Sequence, residues 1–342
     1  MDKLKVGLIG TGRFGRLHLN VLRQIEKCEI VAVADINEES LLKTKADFNI
    51  PKSYNDALEL INDQEIDVVS IVSDESTHGY LAIESIKRNK HVFIEKPIAT
   101  KYSEATKVLQ LAKKHNVQVM VGNISRFATP YFSMKKAVDR GVLGDIVTVR
   151  TKRDFSKQWF ADFGKRVHPV YESGIHDLDL LLWYIDSKCK EVFSVEHNIS
   201  GYQYPDSFSA TLKFENGVIA TMESAWLYPN GAPQNLVETL ELDGTINADI
   251  EIIGNKGTAN YQLNHSGYSI WTDDMHLQPE LTLWNQDVIG IGGAIRTELA
   301  HFISQVVKNE ESPIAPLHDS VDALQIADAI VLSAQEGTIV KL

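Results

Sequence analysis

Cysteine is scarce in this chain of 342 residues, which contains only Cys28 and Cys189. The two are far apart and form no C-x-x-C motif, so neither a disulfide framework nor a thiolate metal site is indicated. Low cysteine content is typical of a reducing cytoplasm, where we expect the protein to be located. The apolar run after Lys3 and Lys5 breaks at glycines and is too short for a signal or membrane segment. We therefore expect no membrane partner.

Runs of lysine and arginine are also missing. The chain has 34 Lys and Arg against 46 Asp and Glu, a formal net charge of −12, which argues against a nucleic-acid partner. No internal repeat or low-complexity segment is present. The length favours two domains. We expect one domain over residues 1–122 and a second over 123–342, with the C-terminal helices packing back on the first.

A glycine-rich turn joins an apolar strand to a helical pattern near the start of the chain, in Gly10-Thr11-Gly12-Arg13-Phe14-Gly15. Gly10 permits a tight turn, Gly12 leaves room for a pyrophosphate at the backbone, and Gly15 lets the helix approach the strand. The free N–H groups of the first helical turn then meet the phosphates. The pattern predicts dinucleotide binding, with this turn supplying the contacts.

The next apolar run, Glu29 to Ala34, ends in Asp35, about 20 residues after the last glycine. That is the spacing of a carboxylate that binds a ribose, although a tight turn followed by an unrelated surface acid is the alternative. A carboxylate here would repel a 2′-phosphate, so NAD is favoured over NADP. NADP stays an alternative, because Arg13 and Lys43 are cations close enough in sequence to reach a 2′-phosphate.

Buried apolar runs alternate with helical patterns up to Gly122 and predict a parallel sheet. Beyond it the pattern changes to alternating strands separated by Asn-Gly, Asp-Gly and Asn-Lys-Gly turns, which predicts a large, mostly antiparallel sheet. Its predicted strands are Ile146 to Arg153, Val192 to Val195, Ser207 to Phe214, Val218 to Leu227, Leu236 to Leu242, Asp249 to Ile253 and Gly257 to Leu263. Helical periodicity returns around Leu299 and from Ser320 to about Gln335.

Three motifs stand out along the chain: the glycine turn, Glu95-Lys96-Pro97, and Gly174-Ile175-His176-Asp177-Leu178-Asp179. Together they resemble the glucose–fructose oxidoreductase, inositol dehydrogenase and MocA (Gfo/Idh/MocA) family. The likeness covers essentially the whole chain. It implies an α/β fold class: an N-terminal Rossmann dinucleotide-binding domain, then a C-terminal α/β domain with a large open sheet. In that family one face of the sheet forms the substrate wall and the other is often an oligomer contact, so we expect a homodimer or homotetramer.

The resemblance also implies catalytic residues. Lys96 matches the lysine that touches the nicotinamide side and the reacting hydroxyl, and Pro97 is expected to follow a cis bond. His176 matches the general acid/base. Glu172 stands where relatives usually carry aspartate, and it either contacts substrate or only orients the His176 ring. From the residues alone, Glu172, His176 and Asp179 share one face of a helix, which a structural histidine between two acids or a metal site would also explain; we expect no metal.

Further contacts are implied by the same resemblance. Ser73, Thr77 and His78 match the loop that passes the adenosine and diphosphate, and Glu95 matches a neighbour of the nicotinamide ribose. For His78, a packing role at the start of a helix is an equal alternative. Asn123 and Arg126 lie where the family contacts nicotinamide and substrate. The remaining candidates for substrate contact, for each of which a plain surface or core role is an equal alternative, are Arg153, Trp159, His168 and Tyr171.

The function that these residues predict is hydride transfer between NAD and a secondary hydroxyl of a sugar, cyclitol or sugar derivative. Lys96 would stabilise the developing alkoxide while His176 takes the hydroxyl proton. Two alternatives stay open. One is an NAD-dependent glycosidase of the same family, which would release sugar without net NADH. The other is a non-catalytic NAD-binding sensor. Inositols, aldoses, sugar acids and nucleotide sugars all fit this pattern as substrates.

Overall fold

The structure, a computed structural model, describes residues 3–235, 243–264, 267, 269–272 and 276–342. The chain divides into two compact units. The first comprises Met1–Phe127 and Leu283–Val321, and the second comprises Ala128–Thr282 and Asp322–Leu342. The strand predicted from Leu236 to Leu242 lies outside the described residues.

The first unit is built on a six-stranded parallel sheet. Its strands are β1 (Leu4–Ile9), β2 (Cys28–Ala34), β3 (Lys52–Tyr54), β4 (Val68–Ile71), β5 (His91–Ile94) and β6 (Val119–Val121). Its helices are α1 (Arg13–Leu22), α2 (Glu38–Phe48), α3 (Ala57–Asn62), α4 (His78–Lys87), α5 (Tyr102–His115) and α9 (Gly293–Lys308). The strand order is β3-β2-β1-β4-β5-β6, and the described pairs are parallel, which confirms the predicted sheet.

Strand β1 lies in the interior of this sheet, and both of its faces are covered. Val6 on one face and Ile9 on the other are 0% and 4% exposed, and β4 beside it is buried at every residue. Such a run is expected of a parallel strand between two layers of helices. Strands β2 and β3 follow on one side of β1, whereas β4, β5 and β6 follow on its other side, so the strand order reverses at β1. Ligands of open α/β sheets bind at the carboxyl ends of the strands where the order reverses in this way.

The second unit contains a seven-stranded, mostly antiparallel sheet, as predicted. Its strands are β7 (Ile146–Phe155), β8 (Cys189–His197), β9 (Ser207–Phe214), β10 (Ile219–Ala225), β11 (Ile246–Gly254), β12 (Thr258–Gln262) and β15 (Val340–Lys341), beside a two-stranded ribbon of β13 (Ile270–Trp271) and β14 (His276–Leu277). Its helices are α6 (Thr129–Asp139), α7 (Lys157–Phe163), α8 (Ile175–Ile185) and α10 (Leu317–Glu336), within which the unit boundary falls. The order is β12-β11-β7-β10-β9-β8-β15, and among the described pairs β10 and β7 run parallel.

Alternation along the strands separates the two faces of the large sheet. In β9, Phe208 and Ala210 are buried, whereas Ser209 between them is exposed. The turn before α8 covers the buried face so closely that a Cβ on Gly174 would lie 2.9 Å from the Phe208 ring. On the opposite face Val195 of β8 is 55% exposed.

Sequence analysis did not predict the short strands β3 and β15. Strand β15 pairs with β8 at the edge of the large sheet, so a contact far away in sequence defines it. Among the helices that the structure describes, none combines the length and apolar character needed to cross a membrane.

Candidate active site

The glycine turn after β1 has the geometry that a bound pyrophosphate needs. Gly10 has a φ of +97°, and a Cβ there would lie 2.4 Å from the Val72 carbonyl oxygen. A Cβ on Gly15 would lie 1.9 Å from the Gly10 carbonyl oxygen. By contrast, a Cβ on Gly12 would meet nothing within 4 Å. The backbone at Gly12 therefore faces open space at the start of α1, where free N–H groups can bind an anion.

Asp35, directly after β2, is held by the same turn. Its Oδ2 accepts hydrogen bonds from the Thr11 backbone N–H (2.6 Å) and the Thr11 hydroxyl (2.8 Å), and its Oδ1 accepts one from the Asn37 N–H (2.8 Å). The side chain is half-buried, and Oδ1, which accepts one hydrogen bond, has a further lone pair for a ribose hydroxyl. The Thr11 side chain is fully buried and serves to hold Asp35. This arrangement fits the unphosphorylated ribose of NAD.

The other predicted cofactor residues follow the carboxyl ends of neighbouring strands. Ser73 follows β4, and its hydroxyl lies 2.7 Å from that of Thr77. Glu95 directly follows β5, and Asn123 follows β6. Carboxyl ends of parallel strands meet at one edge of a sheet. The structure thus brings the predicted cofactor residues of the first unit to one edge, where α1 begins with Arg13 and Phe14.

Lys96 lies in a closely held segment at this edge. The Lys96–Pro97 peptide bond is cis, as the resemblance implied. Glu95 is 8% exposed, its Oε2 accepts the Lys96 backbone N–H (3.2 Å), and its Oε1 lies 3.1 Å from Nε2 of His18. Sequence analysis missed His18, although a histidine on the apolar face of α1 was an available signal.

Asn123 and Arg126 both bond to the segment around the start of α10. The Asn123 amide donates to the Ser320 hydroxyl (3.0 Å). Arg126 is fully buried, and its Nη1 donates to the Ile314 carbonyl oxygen and to the Asp319 carboxylate, both at 2.8 Å. The protein itself therefore engages this guanidinium, and its contact with substrate stays a prediction.

The predicted acid–base pair lies at a change of helix type in the second unit. Residues Val170–Gly174 form a π-helical turn, and α8 begins at Ile175. Glu172 lies in the π turn and His176 in the first turn of α8. The helix is thus not regularly α-helical at Glu172, and the prediction that Glu172 and His176 share one helix face stays a prediction. Both side chains are half-buried. Single π turns occur frequently at functional sites.

Arg153 of β7 is bound by Asp177 of α8. Its Nε (3.0 Å) and Nη2 (2.8 Å) both donate to Asp177 Oδ1, while Asp177 Oδ2 has no hydrogen-bond partner among the described residues. Arg153 and Asp177 are 4% and 2% exposed. Burial raises the pKa of Asp177, and the positive charge of Arg153 acts against this shift. The two residues form a buried ion pair, and a direct contact of Arg153 with substrate stays a prediction.

Trp159 and Tyr171 also bond to protein atoms. The Trp159 indole N–H donates to the Asp243 carbonyl oxygen (2.9 Å). The Tyr171 hydroxyl donates to Asp328 (2.7 Å), whose pKa is raised by burial. Burial also raises the pKa of Tyr171 above its usual range. These contacts give both side chains a structural role, and their substrate contacts remain predictions.

His168 is buried and has a partner at each ring nitrogen. Its Nδ1 accepts the Val170 N–H (3.1 Å), so its Nε2 carries the hydrogen and donates to Glu196 (3.1 Å). Its contact with substrate likewise stays a prediction. Within the part of the chain that the structure describes, no group of three or more His, Cys, Asp or Glu side chains is placed to hold a metal ion.

Comparison with known proteins gives matches along most of the chain. Residues 4–123 match the Gfo/Idh/MocA oxidoreductase family, NAD-binding Rossmann fold, and residues 135–342 match the C-terminal alpha/beta domain of that family. The myo-inositol 2-dehydrogenase of Thermotoga maritima is 28% identical over 253 residues, which cover 72% of this chain and 75% of the relative.

Two solved structures share the fold. Myo-inositol 2-dehydrogenase from Lactobacillus plantarum is 22% identical, with a TM-score of 0.85 over 100% of both chains. Scyllo-inositol dehydrogenase from Lactobacillus casei, solved with bound NAD(H) and scyllo-inositol, is 20% identical, with a TM-score of 0.82 over 99% of both chains. Because both domains of the family are matched in their order along the chain, this protein belongs to the Gfo/Idh/MocA family of oxidoreductases, and its first domain is the NAD-binding Rossmann domain of that family.

Proposed function

We propose that this NAD-dependent oxidoreductase transfers a hydride between NAD and a secondary hydroxyl of a cyclitol, with inositol as the first candidate. The observation that carries the proposal is the shared edge of the parallel sheet. The open backbone at Gly12, the fixed carboxylate of Asp35 and the lysine of Glu95-Lys96-Pro97 all follow strands at that edge. NAD supplies the hydride acceptor or donor when it is bound. The Thermotoga maritima relative is named myo-inositol 2-dehydrogenase, which supports inositol as the first substrate to test.

The chain's own groups would handle the charge and the proton of the substrate hydroxyl. In this proposal the Lys96 ammonium stabilises the oxygen as it becomes an alkoxide. His176 takes the hydroxyl proton during oxidation and returns it during reduction. Glu172 orients the His176 ring or contacts the substrate, and the π turn sets its place relative to His176.

The test is NADH formation by the purified protein with inositols, hexoses, sugar acids and nucleotide sugars, with NADP assayed in parallel. We expect turnover of an inositol with NAD. Lys96→Ala should lower kcat at least about 100-fold and leave NAD binding intact, because it removes charge stabilisation only. Lys101→Ala, at an exposed lysine of the same unit, is the matched control and should change neither. A Lys96→Ala protein that turns over normally would refute the assigned role.

The same assay separates the two alternatives. Glycosides belong in the panel, since sugar release without net NADH would identify a glycosidase. NAD binding with neither reaction, in a protein that tolerates loss of His176, would identify a sensor.

For the assembly we propose a homodimer or homotetramer, formed through the open face of the large sheet. Phe193 and Val195 are 43% and 55% exposed on this face, and Ile219 is 46% exposed. On the same face Arg150 pairs with Glu251 at 2.9 Å, so these two charges balance each other where a second copy would dock. Sedimentation velocity tests this, and a monomer at micromolar concentration would refute it. The low cysteine content supports a cytoplasmic location as part of the proposal.

A further inference from the structure

Two buried histidines contact the segment Glu95-Lys96-Pro97, and the mechanism proposed above uses neither of them. His18 lies on α1 and is 0% exposed, and His78 begins α4 and is 1% exposed. They bond to opposite ends of the segment. His18 reaches the Glu95 side chain, and His78 reaches the Pro97 carbonyl oxygen.

The His18 ring has one polar partner. Its Nε2 lies 3.1 Å from Glu95 Oε1, and because a carboxylate oxygen only accepts, Nε2 is the nitrogen that carries the hydrogen. The buried Nδ1 has no hydrogen-bond partner among the described residues. The ring lies between those of Phe14 and Phe93, with centroid distances of 5.3 and 5.5 Å. Its orientation is thus set by aromatic packing and by Glu95.

The Glu95 carboxylate passes this restraint to Lys96. Its second oxygen, Oε2, accepts the Lys96 backbone N–H at 3.2 Å. The carboxylate also fills the space beside Gly122, where a Cβ would lie 2.7 Å from Oε1. A chain of hydrogen bonds therefore runs from His18 through Glu95 to the Lys96 amide.

His78 restrains the segment from its other end. Its Nδ1 lies 2.8 Å from the Pro97 carbonyl oxygen, and its Nε2 lies 3.1 Å from the Ser73 carbonyl oxygen. A carbonyl oxygen only accepts, so a ring nitrogen donates to it only when that nitrogen carries a hydrogen. The contact of Nδ1 with Pro97 is the shorter of the two.

We propose that His18 and His78 are positioning residues for Lys96, each fixing the backbone on one side of it. The inference rests on the role of Lys96 in the proposed function. Misplacing a reacting group by about 1 Å can cost on the order of 100-fold in rate, so the backbone that carries Lys96 must not shift. NAD affinity depends in this scheme chiefly on the glycine turn and Asp35, so loss of either imidazole should lower kcat more than it lowers NAD affinity.

Paired variants of His18 and of His78 distinguish the hydrogen bond that each ring donates from the packing of the ring. At His18, Gln presents an amide near the Nε2 position, whereas Leu fills the space without a donor. At His78, Asn retains a donor near Nδ1, which serves Pro97, whereas Gln retains one near Nε2, which serves Ser73. We expect His18→Leu and His78→Gln to lower kcat about 10- to 100-fold, with a much smaller change in KM for NAD. His18→Gln and His78→Asn should keep most of kcat.

Hydrogen exchange at the Lys96 amide is a second readout, and it needs no substrate. That N–H donates to Glu95, so His18→Leu should raise its exchange rate about 10-fold or more in the NAD-bound protein, and His18→Gln should not. Thermal unfolding of each variant monitors the fold. If His18→Leu does not fold, the His78 pair carries the test.

Unchanged kcat in His18→Leu and His78→Gln, together with unchanged Lys96 exchange, would overturn the proposal. Loss of NAD affinity at constant kcat in His78→Gln would also overturn it, because His78 would then be a cofactor contact. If Lys96→Ala retains turnover, the role assigned to Lys96 in the proposed function fails. Lys96 exchange would then still show whether the histidines hold this segment.

Discussion

Replacing Arg153 by methionine should strongly destabilise the second unit. The substitution removes the guanidinium and leaves the Asp177 carboxylate buried, with one oxygen that already has no hydrogen-bond partner among the described residues. Removing one partner of a buried ion pair costs about 3–5 kcal/mol. In a cooperative unit of roughly 150–250 residues, each kcal/mol lowers Tm by about 2–4 °C. We therefore expect Tm to fall on the order of 6–20 °C.

The same strand offers a matched control. Arg150 pairs with Glu251 at 2.9 Å, but its side chain is 60% exposed. Arg150→Met should therefore cost at most about 1 kcal/mol. Calorimetry and circular dichroism melts of both variants, at equal protein and NAD concentration, measure the difference. Equal losses in the two variants would refute the reasoning from burial.

Kinetics of Arg153→Met address the other role predicted for this residue. The assay is run at a temperature where the variant stays folded. An unchanged KM for the substrate would then show that Arg153 has only a structural role. A raised KM with NAD affinity unchanged would support the predicted contact with substrate.

Two further predictions concern the glycine turn and the open face of the large sheet. Gly12→Ala should leave Tm unchanged, because the added Cβ meets nothing within 4 Å. The same Cβ would occupy the space of the pyrophosphate, so a fluorescence titration should show NAD binding weakened about 10-fold or more. An unchanged Kd would place the pyrophosphate elsewhere. Burial raises the pKa of Asp154 to about 6, from 3.8, although it accepts the Ala225 N–H and lies near Lys152. The native state then binds more protons between these two values, so the free energy of unfolding falls as pH rises through that window, by at most about 1.4 kcal/mol per pH unit. Asp154→Asn should make this slope shallower than in the unmodified protein in urea titrations, because its own share is removed, and an unchanged slope would contradict the assignment.

Local sequence determined the features whose geometry depends on near neighbours. A strand, a glycine turn and a helix are set by residues within a few positions of one another, and Asp35 follows about 20 residues later in the same βαβ unit. Dinucleotide binding and the parallel sheet could therefore be predicted. Alternation over Ser207–Phe214 likewise predicted a half-buried strand, since neighbouring side chains point to opposite faces.

Tertiary structure alone decided which distant side chains meet. His18 and Glu95 are 77 residues apart, and Arg126 and Asp319 are 193 residues apart. No periodicity relates such positions, so sequence analysis could not predict the partner of Arg126 and missed His18.

The π turn before α8 likewise depends on contacts between residues that are far apart in sequence. The Ser173 hydroxyl lies 2.8 Å from that of Ser224 on β10, and Gly174 packs against Phe208 on β9. These contacts form only once the sheet exists, and they accompany a wider turn where the local sequence indicated a regular α-helix. Glycine spacing and periodicity thus determined the elements and the cofactor edge, whereas the partners of buried polar groups depended on burial, which is defined only in the folded chain.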